Sequence, residues 1–477
     1  MQYRIKTFIL LFLFTFLTAS VYSQTNVSGT ISSNTTWNIA GSPYIIWDTV
    51  YMDGGTTLTI EPGVIVRFRN KAALFTFAII NGLPQNDADI IAVGTSTNPI
   101  IFTSDSSAPS PGIWSSINMN HNAFTNSIFN YCIFEYASYA LRINNDAGYS
   151  TVKNCIFKNN NIGIIDGKYV HIDSCTFINN TSYGILTISF STISNCYFSN
   201  NQVGLLVGGN YTDVLKCNFE LNQTGITVYS YYKINIDDCI IHRNQNGLKI
   251  ISVWDNINVR RNQIDSNTIA GIIMEGEVIT IDSCQIFSNQ TGIIDNGGTN
   301  HHVIKNNKIE NNSLGLLLGE SIYDIYCNSI CNNSNYNIKS ASPSAIDLKY
   351  NHWCTSDTLL IENLIFDGND SANIGLTNIL PFFTMYYCTT VDINENLLHN
   401  FSFSIFPNPS FENLNVFIKS DNSISEIQIL NVLGQLQFTS TVANQNTKID
   451  ISTLPSGIYF IKVKSGNEIG IKKFIKH

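Results

Sequence analysis

The sequence predicts an all-β chain whose body is a parallel β-solenoid, and three observations predict it. A unit of 20 to 23 residues recurs along the chain, and its apolar positions fall in short runs broken by Asn and Gly. Only 13% of the 477 residues are charged, and no helical periodicity of useful length is present.

The unit is visible in IDSCTFINNTSYGI, residues 172–185, and in its near-copies from Ile193, Ile236 and Ile281. Its first fixed column holds Cys132, Cys155, Cys175, Cys196, Cys217, Cys239, Asn262, Cys284, Asn307 and Asn328. Two residues on stands Phe or Ile, from Phe134 to Ile330. Five residues on stands Asn: Asn160, Asn180, Asn201, Asn222, Asn244, Asn267, Asn289, Asn312 and Asn333. Gly163, Gly184, Gly204, Gly225, Gly247, Gly271, Gly292 and Gly315 follow three or four residues later. Asn and Gly tolerate a left-handed backbone, so the Asn column is expected to turn a corner and the Gly column to make a bend. One unit cannot bury its own apolar face. A stack can, each copy pairing in parallel with the next at roughly 4.8 Å.

Ahead of the repeat, Arg4 and Lys6 precede an apolar run from Phe8 to Leu17, with Val21 and Ser23 suited to a cleavage site. That is the pattern of a secretory signal peptide, 1–23, and the run is too short to span a bilayer. With Arg4 and Lys6 removed, 24 basic residues face 35 acidic ones, a net of −11. Nucleic acid and anionic membrane are therefore not expected as partners, and no later transmembrane segment is expected. Residues 405–477 reverse the sign, with 7 basic and 5 acidic, which marks a domain boundary near 404.

These units resemble the right-handed parallel β-helix repeat of pectate-lyase-like proteins. VSGTISSNTTW at 27–37 and LTIEPGVIVRF at 58–68 resemble the N-terminal coils of secreted members. The division implied is 24–127 for the N-terminal cap and first coils, 128–350 for the regular repeats, and 351–388 for a closing segment. Residues 389–403 read as a linker. From 404 to 477 the grammar changes to alternating apolar residues broken by Pro407-Asn408-Pro409, Leu-Gly and Pro-Ser-Gly, the pattern of a small Ig-like antiparallel β-sandwich. This tail closely resembles the C-terminal sorting domain of the type IX secretion system. The matching positions are Pro407, Asn408 and Pro409, the run around Gly457, and the basic end at Lys472, Lys473 and Lys476. The resemblance implies export by that machinery and attachment at the outer-membrane surface.

Several columns were candidates for chemistry. Cys155, Cys175, Cys196, Cys217, Cys239 and Cys284 fit either stacked free thiols or bridges between rungs; parallel Cβ vectors favour thiols. Cys354 and Cys388 bracket the closing segment and form the best single disulfide candidate, ahead of Cys327 with Cys331. No paired Cys-Xaa-Xaa-Cys motif or Cys/His cluster at ligand spacing occurs, so no metal and no cofactor are expected.

Six residues before the first column lie Tyr149, Tyr169, Phe190 and Tyr211, with Tyr232 and Trp254 within two residues of that place in the next units. Facing solvent, this aromatic column suits contact with sugars; turned inward, it packs a corner. Asp237, Arg260, Asp282 and Lys305 follow one another down the rungs as an ion ladder, or as the acid and base of a lyase. His301-His302 reads as a surface turn. The Gly-His-Gly element of β-helix glycosidases is missing, and Arg-Xaa-Lys occurs only at Arg4-Ile5-Lys6 and Arg69-Asn70-Lys71, far along the chain from Asp237-Asp238. The expected function is that of an exported, adhesin-like surface module contacting extracellular polysaccharide; the alternative is a carbohydrate-active enzyme of lyase type.

Overall fold

The computed structural model describes residues 24–77, 79–80, 83–84, 88–121, 126–145, 150–229, 232–251, 257–276, 278–297, 301–386, 402–419, 425–431, 435–442, 446–465 and 468–477. The chain forms two compact units, 1–388 and 389–477. The larger is a parallel β-helix. Each rung contributes three strands, as in Val170–Asp173, Thr176–Ile178 and Tyr183–Ser189. Strands of the first kind stack into a sheet of 13, which counts the turns; the other two kinds share a sheet of 27. At ~4.8 Å per step the stack rises roughly 58 Å. Register is strict: Phe177 pairs with Phe198, and Phe198 with Phe219.

Strict register turns each sequence column into a physical stack. The rings of Phe102, Phe134, Phe157, Phe177, Phe198 and Phe219 lie nearly parallel in the core, with centroids 4.6 to 4.8 Å apart. Below them Ile241, Ile264 and Ile286 continue the column. The Asn column is buried and forms an amide ladder. Asn222 Oδ1 accepts from the backbone and side-chain nitrogens of Asn201, each at 3.0 Å, and Asn222 Nδ2 donates to the carbonyls of Phe198 and Glu220.

The cysteine column works in the same way with a softer atom. Cys155 N donates to Cys175 Sγ at 3.4 Å, and Cys175 Sγ lies 3.4 Å from Val152 O. Where Asn takes over, Cys239 N donates to Asn262 Oδ1 at 2.8 Å, which is why the two residue types interchange. Cys132, Cys155, Cys175, Cys196, Cys217, Cys239 and Cys284 are all free and buried. Burial pushes the thiols of Cys155, Cys175, Cys196, Cys217 and Cys239 far up, and that of Cys284 to about 12. An alkylating reagent at about pH 8 is therefore expected to label none of the seven in the folded chain and all of them in denaturant, counted by mass spectrometry.

Two expectations about corners are corrected. The left-handed residues are not the Asn column but the positions just before it, among them Asn159, Asn179, Asn200, Leu221 and Arg243. The fixed Asn is needed for its amide, not its backbone freedom. The glycines of the Gly column do not have positive φ either, and they lie within strands. A Cβ on Gly184 would stand 2.5 Å from Gly204 O and 2.9 Å from the Phe198 ring. Glycine is there because the next rung comes too close for any side chain.

The β-helix closes through residues 351–386, where Asn351 extends an amide ladder to Asn328 and the helix Thr358–Glu362 starts on an Asp357 cap. The disulfide expected between Cys354 and Cys388 is not formed: Cys354 is bonded to Cys331, with Cα atoms 5.9 Å apart. The bridge between Ser329 and His352 sets the closing stretch directly against the rung that carries Cys331. The pairing of Cys327 with Cys331 is overturned by the same bond; Cys327 is also disulfide-bonded. Cys388 lies outside the described residues.

The smaller unit has antiparallel sheets of three and four strands sharing a core of Phe403, Leu414, Val416, Ile427, Ile429, Ile461, Val463 and Phe474. Pro407-Asn408-Pro409 is tied to the last strand: Asn408 Nδ2 donates to Lys473 O and Asn408 Oδ1 accepts from Ile475 N. Lys472 Nζ lies 5.5 Å from the centre of the Phe403 ring, and Lys473 points to solvent. Lys476 is largely buried, and its strand bridges to Ser410. Gly457 opens the neighbouring strand Gly457–Ser465. No helix among the described residues is long and apolar enough to cross a membrane.

Candidate functional site

The aromatic column occupies a third corner on four successive rungs, at Tyr169, Phe190, Tyr211 and Tyr232. Tyr169, Phe190 and Tyr211 take φ of 52°, 50° and 51°, a left-handed conformation that bulky residues rarely adopt. Their rings stack with Tyr232 along the axis, centroids 5.2, 5.5 and 6.2 Å apart. Phe190 is 37%, Tyr211 54% and Tyr232 47% exposed. Because neighbouring faces cover one another, the ladder presents ring edges and hydroxyls to solvent. Lys168 Nζ lies 5.5 Å from the Tyr169 ring. Tyr149 and Trp254 lie outside the described residues.

Asp237, Arg260, Asp282 and Lys305 stand in register on four successive rungs. Arg260 donates twice to Asp237, at 3.0 and 2.7 Å, and the bonds to Asp237 raise its pKa further. Arg261 repeats the fork on Asp238, and Lys305 sits 3.7 Å from Asp282. An arginine held this way stays charged and cannot serve as a base.

A second cluster escaped the sequence reading. Tyr197, Glu220, His242 and Arg243 come from three consecutive rungs and converge on Glu220: the Tyr197 hydroxyl and Arg243 donate to it, and His242 Nε2 lies 3.2 Å away. Tyr197's hydrogen bond, then Arg243, hold Glu220 below its usual range; burial and then Glu220 push Tyr197 up. A lyase needs a cation free for the uronate carboxylate and a base ready to take a proton. Here the cation is neutralised and the phenol is held protonated. Writing out the outward positions on either side of the Phe column would have exposed this cluster.

His302 is a correction as well. It lies on the strand His301–Lys305 and is fully buried, whereas a surface turn was expected. The corresponding inward positions above it are Ile257 and Ile279. Neither ring nitrogen has a hydrogen-bond partner, and Nε2 stands 3.8 Å from Asp295, which accepts from Tyr323. Burial pushes the His302 pKa down. As pH falls below about 6.5, the unfolded chain takes this proton first, so stability present at neutral pH is lost toward acid. The urea midpoint is expected to fall between about pH 7.5 and 5 in the native chain, and to fall less in His302→Leu.

Cys331, His352 and Cys354 are brought together at the closing end, their donor atoms all within 4.8 Å of one another. Burial pushes His352 down.

Residues 29–169 match the family model described as pectate-lyase like beta helix domain, and 404–477 match the secretion system C-terminal sorting domain. The body is a pectate-lyase-like β-helix, and the tail is a type IX sorting domain. That tail assigns the chain to type IX secretion and surface attachment. Residues 209–370 also match a model described as periplasmic copper-binding protein (NosD). No curated protein matches the chain. Among solved structures, the mannuronan C-5 epimerase AlgE6 A-module of Azotobacter vinelandii is 11% identical. That alignment covers 70% of this chain and 90% of the module, with TM-score 0.35. An alginate lyase from Paenibacillus is 10% identical over 71% of this chain and 98% of its own, with TM-score 0.26. An Acinetobacter phage tailspike is 10% identical over 93% and 72%, with TM-score 0.29. At these scores, what those proteins act on says nothing about this one.

For the copper description, the described residues offer the donor set Cys331, His352 and Cys354. With the two sulfurs bonded to each other there is no thiolate, so the set does not fit copper in this state.

Proposed function

We propose that the chain is an exported, adhesin-like surface module that holds an extended polysaccharide along its aromatic corner without cleaving it. The observation that carries this reading is the exposed ladder Tyr169–Phe190–Tyr211–Tyr232, three of whose members hold a strained backbone. Left-handed bulky residues cost on the order of 1–3 kcal/mol each. Ring stacking returns about 0.5–1.5 kcal/mol per pair. The same left-handed turn recurs at other corners, Leu221 and Arg243 among them, so the strain belongs to the rung; what distinguishes this corner is that its stacked rings stay exposed. Its edges and phenol hydroxyls, repeated at rung spacing, suit a chain of sugars lying parallel to the axis. The self-neutralised clusters at Glu220 and Asp237 favour binding over elimination chemistry.

In affinity electrophoresis through gels cast with acidic or neutral polysaccharides, Tyr169→Ala/Tyr211→Ala is expected to lose about tenfold in retention. Alanine keeps the left-handed strain and loses three ring contacts, so its thermal midpoint should fall modestly, and circular dichroism at the assay temperature checks that it stays folded. Retention equal to the native chain would sink the ladder as the binding surface.

A further inference from the structure

We infer that the outer face of the third strands is a homodimer interface, on which a second copy of this chain lies antiparallel. These strands include Ile162–Lys168, Tyr183–Ser189 and Val203–Val207. Register stacks their outward residues into a column. Ile165, Leu186 and Leu206 come first, then Thr227 and Lys249, then Ile273, Ile294 and Leu317. A second column, three residues upstream, repeats the order: Ile162, Tyr183 and Val203 lie above Thr224 and Asn246, with Ala270, Thr291 and Leu314 below. Arg142 above and Lys339 below bound the face.

The first sheet differs: its outward places hold Lys153, Asp173, Asp237, Arg260, Asp282 and Lys305. Charge is spent there and kept off the apolar rungs, as in the core of a protein interface. Ile165, Leu186, Leu206, Ile294 and Leu317 are partly exposed, and Ile273 between them is nearly covered. Among the described residues, no strand or helix from outside the stack packs extensively on this face. The eight rungs from Ile165 to Leu317, at ~4.8 Å, and strands of five residues, at ~3.3 Å each, give roughly 600 Å² per chain. A pair of copies would bury about 1,200 Å², which reaches the size of a specific, stable interface.

The face also reads alike from either end: three apolar rungs, two polar ones, three apolar rungs. A two-fold axis along the strands, between the rungs of Thr227 and Lys249, sets each apolar block on the other. Leu186 then meets the partner's Ile294, and Leu206 the partner's Ile273. A parallel dimer would bring Lys249 against its own copy. The antiparallel one sets it against the partner's Thr227, and its pair with Glu275 at 3.2 Å stays intact. Because this rotation keeps the strand direction, both Tyr169–Tyr232 corners lie along one edge of the dimer. The proposal does not rest on the glycan reading.

Sedimentation velocity of the purified full chain at ~50 µM is expected to give twice the mass of one chain. Leu186→Glu and Ile294→Arg, each alone, should leave monomers at that concentration. Mixed in equal amounts, the two should recover a dimer, because the antiparallel register sets the glutamate against the arginine. Circular dichroism checks that both fold. Leu186→Thr keeps a strand-forming residue and should weaken the dimer about tenfold even if a charge there disturbs folding. A monomeric native chain would leave the face to some other partner and overturn the proposal. So would a dimer that survives either charge, or a mixture that stays monomeric.

Discussion

Asn222→Leu is expected to destabilise the β-helix by about 3–5 kcal/mol, with the loss centred on three rungs. The change removes the acceptor for Asn201 N and Nδ2 and the donor to the carbonyls of Phe198 and Glu220, all but the last of them buried. Each buried group left unpaired costs on the order of 1–3 kcal/mol, and leucine's added apolar contact returns less than the sum. Because each rung touches only its neighbours, the effect should be local. Hydrogen exchange should quicken most in 197–247, while rungs near Phe102 stay protected. Exchange unchanged around Asn222 would mean that the amide ladder does not hold the rungs.

Gly184→Val tests the spacing of the rungs from the other side. Its Cβ would stand 2.5 Å from Gly204 O and 3.1 Å from the Phe177 Cβ, and the first of these is backbone in a parallel ladder. Overpacking in cores costs typically 1–3 kcal/mol when side chains can move. Here a whole rung must shift against its hydrogen bonds, so the cost is expected to exceed about 3 kcal/mol. Soluble yield and urea midpoint check this. Gly297→Ala serves as contrast: its φ of 95° carries backbone strain, yet nothing lies within 4 Å of its added carbon. A Gly184→Val chain as stable as Gly297→Ala would contradict the close-approach account.

The stack was legible because a parallel solenoid converts period into register, so Cys175, Phe177 and Asn180 each announce a column. What each column does was less legible. A left-handed corner and a buried amide both select Asn, and only the folded chain separates Asn179, which turns, from Asn180, which bonds. Bend and close approach both select Gly in the same way. The Cys331–Cys354 bond, the Glu220 cluster and the burial of His302 depend on which residues lie one rung apart and which face they take. At the closing segment the period still holds, 23 residues from Cys331 to Cys354, but neither cysteine stands in the repeat's Cys, Phe or Asn column.

The most direct measurement follows retention and cleavage in one sample, with the purified chain on an immobilised polysaccharide that it retains. The account predicts that the chain stays bound through the Tyr169–Tyr232 corner while no new reducing ends and no unsaturated uronate ends appear. Steady release of either kind of end, abolished by changing Glu220 or Arg260 and not by changing Tyr211, would contradict it.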